Sequence, residues 1–290
     1  GLNIVDKIHG TIGTPAMTRL ARTARGISRG LLPLWTPYMP QNAAAISCMP
    51  VRSDHRPKVV YFPSCITRAM GPSRLDEEAV SLTRKTESLL RKAGYNTLFP
   101  KNMAALCCGM PFSSKGIADV AEKKARELEA ALLSISDNGE IPILCDMSPC
   151  LYHMKATLDS RLRLFEPIEF ALTHLAPALA FTKISDSVAV HTVCSAKKMG
   201  LEGKMKQLAE MCAEKVVIPD VTCCGFAGDR GFTHPELNAF GLRHLKEQIP
   251  DHCRHGYSTS RTCEIGLSHH SGIPYQSILY LVDRCTEAKR

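Results

Sequence analysis

Long apolar runs, aromatic residues and an export signal are what this chain has least of, and each scarcity removes a class of function. No stretch approaches the roughly 20 apolar residues needed to cross a bilayer, so no membrane-spanning helix is expected. Aromatics make up 6% of the 290 residues, with one tryptophan, which leaves a single-strand nucleic-acid binder without stacking platforms. The net charge of +8 is dispersed, and no groove-reading motif accompanies it, so nucleic acid is not an expected partner. The charged start, apolar run and cleavage site of a secretory signal are missing, and thirteen cysteines are too thinly spread for a disulfide scaffold. A reducing cytoplasmic setting is expected. No CxxCxxCxxxC run occurs, so no ferredoxin-like cluster motif is expected within this chain. Gly1 in place of a start methionine suggests a piece of a longer protein.

What is present is one cysteine pattern written twice. Cys65, Cys107-Cys108-Gly109 and Cys150 form the first copy, and Cys194, Cys223-Cys224-Gly225 and Cys263 the second. Thiolates are soft ligands that suit zinc or an iron-sulfur cluster. Adjacent cysteines struggle to offer both sulfurs to one small tetrahedral ion, whereas a cluster presents several iron atoms, so two iron-sulfur centres are favoured over zinc. Gly109 and Gly225 lack a side chain, can take unusual dihedrals and let backbone amides approach the sulfurs. Cys48, Cys212, Cys253 and Cys285 match no position of the repeat and read as structural.

The surrounding chain repeats as well. KVVYF at 58 to 62 and SVAVH at 187 to 191 are apolar strands that lead to Cys65 and Cys194. Helices are expected over 75 to 93 and 200 to 213, then strands near 97 to 99 and 215 to 218, closed by Pro100 and Pro219. Further helices over 116 to 136 and 234 to 248 precede strands near 141 to 145 and 255 to 258, and each last cysteine opens a helix. This alternation predicts an α/β fold of two tandem, pseudo-twofold-related units, each a small parallel sheet flanked by helices. Loops at the carboxyl ends of such strands converge, which is where the cysteines fall.

The expected organisation is a basic amphipathic helix with a proline-rich linker over 1–57, a first unit over 58–178 and a second over 179–290. The helix should run from 14 to 35, with Thr14 as N-cap and Pro15 at its first position. Met17, Leu20, Ala24, Ile27 and Leu31 share one face, and Arg19, Arg22, Arg25 and Arg29 occupy others. Such a helix can dock on protein or lie on anionic lipid; Gly26 and Gly30 weaken it in isolation and favour a protein support. Prolines 37, 40, 50 and 57 mark the linker.

The phrases FPSC at 62 to 65, LCCGMPFSSKG at 106 to 116, SPC at 148 to 150, CCGFAGDRGF at 223 to 232 and SRTCEIGLSHHSGIPY at 260 to 275 resemble the Cys-Cys-Gly (CCG) domain family. That family includes heterodisulfide reductase B-type subunits and iron-sulfur parts of glycolate and lactate oxidising systems. Within it, the phrases are most similar to the C-terminal half of FAD-dependent D-lactate dehydrogenases, which fuse a flavin domain, a ferredoxin-like module and two CCG domains. The resemblance implies an iron-sulfur relay that carries electrons from FAD, held upstream, to a quinone or other acceptor. The flavin domain and ferredoxin-like module are then its partners, and its place is the cytoplasm or the cytoplasmic membrane surface.

The family pattern usually ends in CxxC, and here Met147 and Ser260 stand where the first cysteine of that pair belongs. Cys145 lies near enough to be a fifth ligand in the first unit, while Ser258 holds the equivalent place in the second. The count therefore fits two four-thiolate [4Fe-4S] centres, with Cys65, Cys107, Cys108, Cys150 and the candidate Cys145 in one and Cys194, Cys223, Cys224 and Cys263 in the other. Two alternatives stay open: a thiol-disulfide enzyme like the heterodisulfide reductases, and a structural zinc protein that serves as an interaction platform. The GxxGxxG from Gly225 to Gly231 reads as a tight loop around a cluster, shaped by an Asp229–Arg230 pair. His191, three before Cys194, reads as a strand-end histidine satisfied by hydrogen bonds, with metal ligation or proton relay as the alternatives. His269 and His270 read as solvated, or facing a quinone-sized pocket.

Overall fold

The computed structural model describes residues 2–46, 55–76 and 78–289. The chain begins with a helix, Leu2–Ile27, broken at Gly13, where φ is 75° and ψ 170°. Its second half thus starts at the expected Thr14-Pro15 signal, but a first half precedes it that sequence periodicity did not reveal. It also stops eight residues early. Gly30 N–H donates to Arg25 O at 2.9 Å and Arg29, in the left-handed region at φ 51°, donates to Gly26 O at 3.1 Å, a pairing that closes the last turn. The expected inward face is not the buried one. Met17 is buried, while Leu20, Ile27 and Leu31 are exposed. The helix docks on the chain's own second unit through Val5, Met17 and Ala21, because the following strap returns alongside and lays Trp35 and Met39 into the same core. Leu34 N–H donates to Phe232 O at 2.8 Å to fix that strap. Part of the linker is ordered as strand β1, Pro40–Asn42; Cys48 and Pro50 lie outside the described residues.

The first unit is built on β2, Lys58–Phe62, whose Val59, Val60, Tyr61 and Phe62 are all buried, as an apolar run at the centre of a parallel sheet must be. A short strand β3, Met70–Ser73, leaves the sheet to pair antiparallel with β1. Strands β4, Asn96–Leu98, β5, Ile143–Cys145, and β6, Leu164–Phe165, complete a four-stranded parallel sheet in the order β4-β2-β5-β6. In the second unit β7, Leu179–Phe181, is followed by β8, Ile184–Val190, β9, Ala213–Val217, β10, Cys253–Ser258, β11, Tyr275–Ser277, and β12, Thr286–Ala288. Its parallel sheet has the order β11-β10-β8-β9, the same connectivity as the first read from the other edge. The α/β architecture with two parallel sheets flanked by helices is therefore as expected.

Departures from the expected elements have local causes. The helix expected from 75 runs over Leu82–Lys92, because Ser81 caps it and accepts from Arg84 N–H at 3.4 Å. The helix expected at 200 to 213 is present as Glu202–Cys212, and Gly200, at φ 72°, separates it from the short helix Cys194–Lys198. The segment from 234 to 248 is Pro235–Gly241 and a turn of 3₁₀ helix, Lys246–Gln248. The fourth strands β6 and β11, and the antiparallel pair β7 with β12, are too short to carry a periodic signal.

The largest core crosses the expected boundary at residue 178. Val59, Tyr61, Leu89 and Leu90 from the first unit pack in one cluster with Val188, Val190, Leu208 and Leu281 from the second. Among the described residues no helix is long and apolar enough to cross a membrane.

Candidate metal centre

Each cysteine quartet gathers at the carboxyl ends of parallel strands. After β2, Cys65 opens the helix Cys65–Ala69, capped by Ser64 Oγ, which accepts from Thr67 N–H at 3.3 Å. After β8, Cys194 opens Cys194–Lys198. Cys150 and Cys263 each sit in the first turn of a helix, Ser148–Thr157 and Arg261–Ser271. The Cys-Cys-Gly turns follow β4 and β9. A buried carboxylate sets the first of these ends, for Asp146 accepts from Tyr61 O–H at 2.8 Å and from Ser64 N–H at 3.0 Å.

The sulfurs meet in series. Cys65 adjoins Cys107, Cys107 its neighbour Cys108, and Cys108 adjoins Cys150. In the second unit Cys194 contacts Cys223, Cys223 contacts Cys224, and Cys224 Sγ lies 3.1 Å from Cys263 Sγ. No group of three or more His, Cys, Asp or Glu among the described residues is disposed to hold a metal ion as the chain stands. The fit to an inorganic group therefore rests on the donors and on what surrounds them.

Those surroundings place backbone amides against the paired sulfurs and a cation beside each quartet. Gly109 N–H donates to Cys107 and Met110 N–H to Cys108; Gly225 N–H donates to Cys223 at 3.4 Å and Phe226 N–H to Cys224. Gly109 and Gly225 hold φ of 88° and 70°, and a Cβ would lie 2.4 Å from Ala121 O in one and 2.3 Å from Leu237 O in the other. Only glycine fits a turn so close to the backbone of the next helix. A cation also sits three residues after the leading cysteine of each unit. Arg68 adds to the pull that lowers Cys107 and opposes the net rise of Cys65, while Lys197 only partly offsets the burial and the Cys223 contact that raise Cys194. Cys107, which accepts from Cys108, Cys65 and the Gly109 amide, is the thiol held far below its ordinary range. Hydrogen bonding to Cys107 and burial push Cys65 up, and hydrogen bonds to Cys107 and Cys150 do the same to Cys108.

The two turns also touch across the units. Lys115 Nζ lies 2.5 Å from Asp229 Oδ2, and Arg230 Nη2 donates to Ser114 O at 3.4 Å. The expected Asp229–Arg230 pair is thus replaced by contacts between loops. The helix carrying Cys150 packs on the helix opened by Cys194, with Lys198 Nζ 5.6 Å from the Tyr152 ring centroid.

Cys145 stands apart from the series. It is fully buried, feels the charge of Cys150 and directs its thiol to Met147 O at 3.8 Å. Cys212 and Cys285 adjoin in the shared core, where the Cys285 thiol donates to Val282 O at 3.5 Å; Cys253 lies in the second core. His191 departs from expectation: it is buried and its Nε2 has no hydrogen-bond partner among the described residues. His269 and His270 line a cavity with Phe226 and Ile265. Arg68 and Lys197 escaped the sequence reading, though their shared position three after a repeated cysteine was the available signal. The Lys115–Asp229 contact carried none.

Residues 59–155 match the CCG family, described as a cysteine-rich domain. This covers the first quartet; the second lies beyond the CCG match. One component of the anaerobic glycerol-3-phosphate dehydrogenase of Escherichia coli K12, and its counterpart from strain O157:H7, are each 27% identical over 164 residues, which is 50% of this chain and 41% of the relative. The chain spans about two fifths of the length of these curated relatives. Among solved structures, an aspartate racemase of Picrophilus torridus has a TM-score of 0.37 at 9% identity over 80% of this chain and 96% of the racemase. A glutamate racemase of Aquifex pyrophilus has 0.35 at 12%, over 78% and 81%. Likeness at that level carries no argument about this chain.

Proposed function

We propose that this chain is the iron-sulfur electron-relay part of a flavin-dependent dehydrogenase that oxidises D-lactate or a related D-2-hydroxy acid. The observation that carries the reading is the duplicated site: four neighbouring cysteines at strand ends, an i+2 amide on each paired sulfur, and a cation three residues after the leading cysteine. Cys65, Cys107, Cys108 and Cys150 hold one [4Fe-4S] cluster, and Cys194, Cys223, Cys224 and Cys263 the other. Bound clusters of this type accept and release single electrons. The chain's own residues set how readily they do so, through the amides of Gly109, Met110, Gly225 and Phe226 and the charges of Arg68 and Lys197.

The match to a component of a glycerol-3-phosphate dehydrogenase supports membership of a dehydrogenase assembly over a zinc platform. Both substrates are secondary alcohols, and the five cysteine-bearing phrases from 62 to 275 favour the hydroxy acid. FAD and a ferredoxin-like module then belong to partner regions, and a quinone or other acceptor receives the electrons at the cytoplasmic side of a membrane.

Anaerobic purification with iron and sulfide analysis tests the site. Cys108→Ser and Cys224→Ser are each expected to lose one cluster's iron while the other is retained. Unchanged iron in both variants defeats the proposal.

A further inference from the structure

A cavity of about 260 Å³ lies beside the second quartet. Phe226, which directly follows the Cys-Cys-Gly turn, and Ile265, two residues after Cys263, form the wall between them; both share one core with Cys224 and Cys263. The opposite wall is the strap from the N-terminal helix, through Leu34, Thr36 and Met39. Most of the lining is apolar, and Phe226 meets Phe232 edge to face at 4.9 Å. The polar groups are few and convergent, as in small-molecule sites generally. His269 and His270, ring centroids 4.9 Å apart, stand on the helix Arg261–Ser271 that carries Cys263. Thr36 Oγ1 is buried without a partner among the described residues.

The charge of the lining selects among redox ligands. Glu236 is the acidic side chain of the lining and no Lys or Arg among the described residues belongs to it, with Arg22 and Arg25 acting on His269 and Glu236 from outside, so a nicotinamide or flavin nucleotide would bring its phosphates against Glu236 with no cation in the lining to receive them. A flat, uncharged ring that carries oxygens matches what is there. Phenyl and aliphatic walls take the ring, and imidazole and hydroxyl groups take the oxygens.

Resting on the relay reading, and naming its acceptor, we infer that this cavity binds the head group of a quinone, with Phe226 and Ile265 against the ring and His269 and His270 at its oxygens. A quinone takes up two electrons and two protons to become the quinol. In this site the electrons arrive singly from the relay and the protons pass through the two imidazoles from solvent. Burial lowers the pKa of both histidines, so near neutrality each ring has one nitrogen that donates and one that accepts.

Trp35, the only tryptophan, lies in the strap between two lining residues, so binding is readable without the clusters. Titration of the cluster-free chain with 2-methyl-1,4-naphthoquinone is expected to quench Trp35 fluorescence to saturation, with free tryptophan amide correcting for collisional quenching. Ala239→Phe, at an exposed lining position, is expected to weaken binding about tenfold, and His269→Ala with His270→Ala about threefold or more by removing ring-oxygen partners. Circular dichroism confirms that each variant is folded. Linear quenching, equal quenching in all three proteins, or displacement by NAD overturns the inference. Iron analysis of the cysteine variants is independent of this result, so loss of the quinone site leaves the relay standing, and loss of the relay leaves a quinone site without its electron source.

Discussion

The Lys115 ammonium lies 2.5 Å from the Asp229 carboxylate, which ties the Cys-Cys-Gly loop of one unit to that of the other. Both side chains are more than half exposed, so solvent screens the attraction. Its expected contribution to stability is about 0.2–1 kcal/mol. Lys115 holds the Asp229 pKa below the ordinary carboxylate value. The stabilisation is therefore present above the unfolded-state pKa and fades as pH falls through the lower folded-state value. A double-mutant cycle with Lys115→Ala and Asp229→Ala, read by denaturant unfolding at pH 7 and pH 3, is expected to show this coupling at pH 7 and lose it at pH 3.

Gly109 and Gly225 are the positions least able to change. A methyl group at either would press on a backbone oxygen while the residue keeps a positive φ. Gly109→Ala or Gly225→Ala should cost about 2 kcal/mol or more in stability, and each should lower iron content in its own half. Unfolding curves equal to wild type would show that the turn relaxes freely.

Arg68 and Lys197 act through charge. Replacing Arg68 with Gln removes a positive charge beside the first quartet, which favours the oxidised, less negative form of a bound cluster. A fall in reduction potential on the order of tens of millivolts is expected by Coulomb attraction at partly solvated distances. Lys197→Gln should do the same to the second cluster. Potentiometric titration followed by electron paramagnetic resonance separates the two centres, and an unchanged potential in both variants excludes this role.

Cys145→Ser should leave iron content unchanged, since its thiol is turned to the Met147 carbonyl rather than to the series of sulfurs. Loss of iron in this variant would make Cys145 a fifth ligand and revive the heterodisulfide-type centre.

Glu166 offers a pH test on a carboxyl that is not one of the proposed ligands. It is buried, accepts from Ser148 O–H at 2.9 Å and Glu169 N–H at 2.8 Å, and burial raises its pKa to about 7. Because the folded-state value exceeds the unfolded one, its contribution is fully present below about pH 4.5 and lost as pH rises through about 7. Glu166→Gln should flatten the stability curve across that interval, by at most about 3 kcal/mol. A wild-type slope retained in the variant would assign the pH dependence to another group.

The parts of this molecule legible in its sequence are those that repeat. KVVYF announced an apolar strand, and β2 spans those five residues; the paired glycines announced unusual dihedrals, and both hold positive φ. The N-terminal helix shows where such reading fails. Its apolar residues recur at helical spacing, but which flank turns inward was decided by Trp35 and Met39, distant competitors for the same core. Short strands such as β6, Leu164–Phe165, exist because a neighbouring strand supplies their partners, and two residues carry no period. Contacts such as Lys115 with Asp229 join exposed charges whose meeting depends on how two sheets face each other.

Leu89 and Leu90 share a continuous interior with Leu281 and Val282. Heat or denaturant should therefore melt both halves in a single cooperative transition, and a polypeptide cut at residue 178 would leave each piece with a greasy face bare to water. Disorder begun where one inorganic group is lost would spread through that seam to its twin.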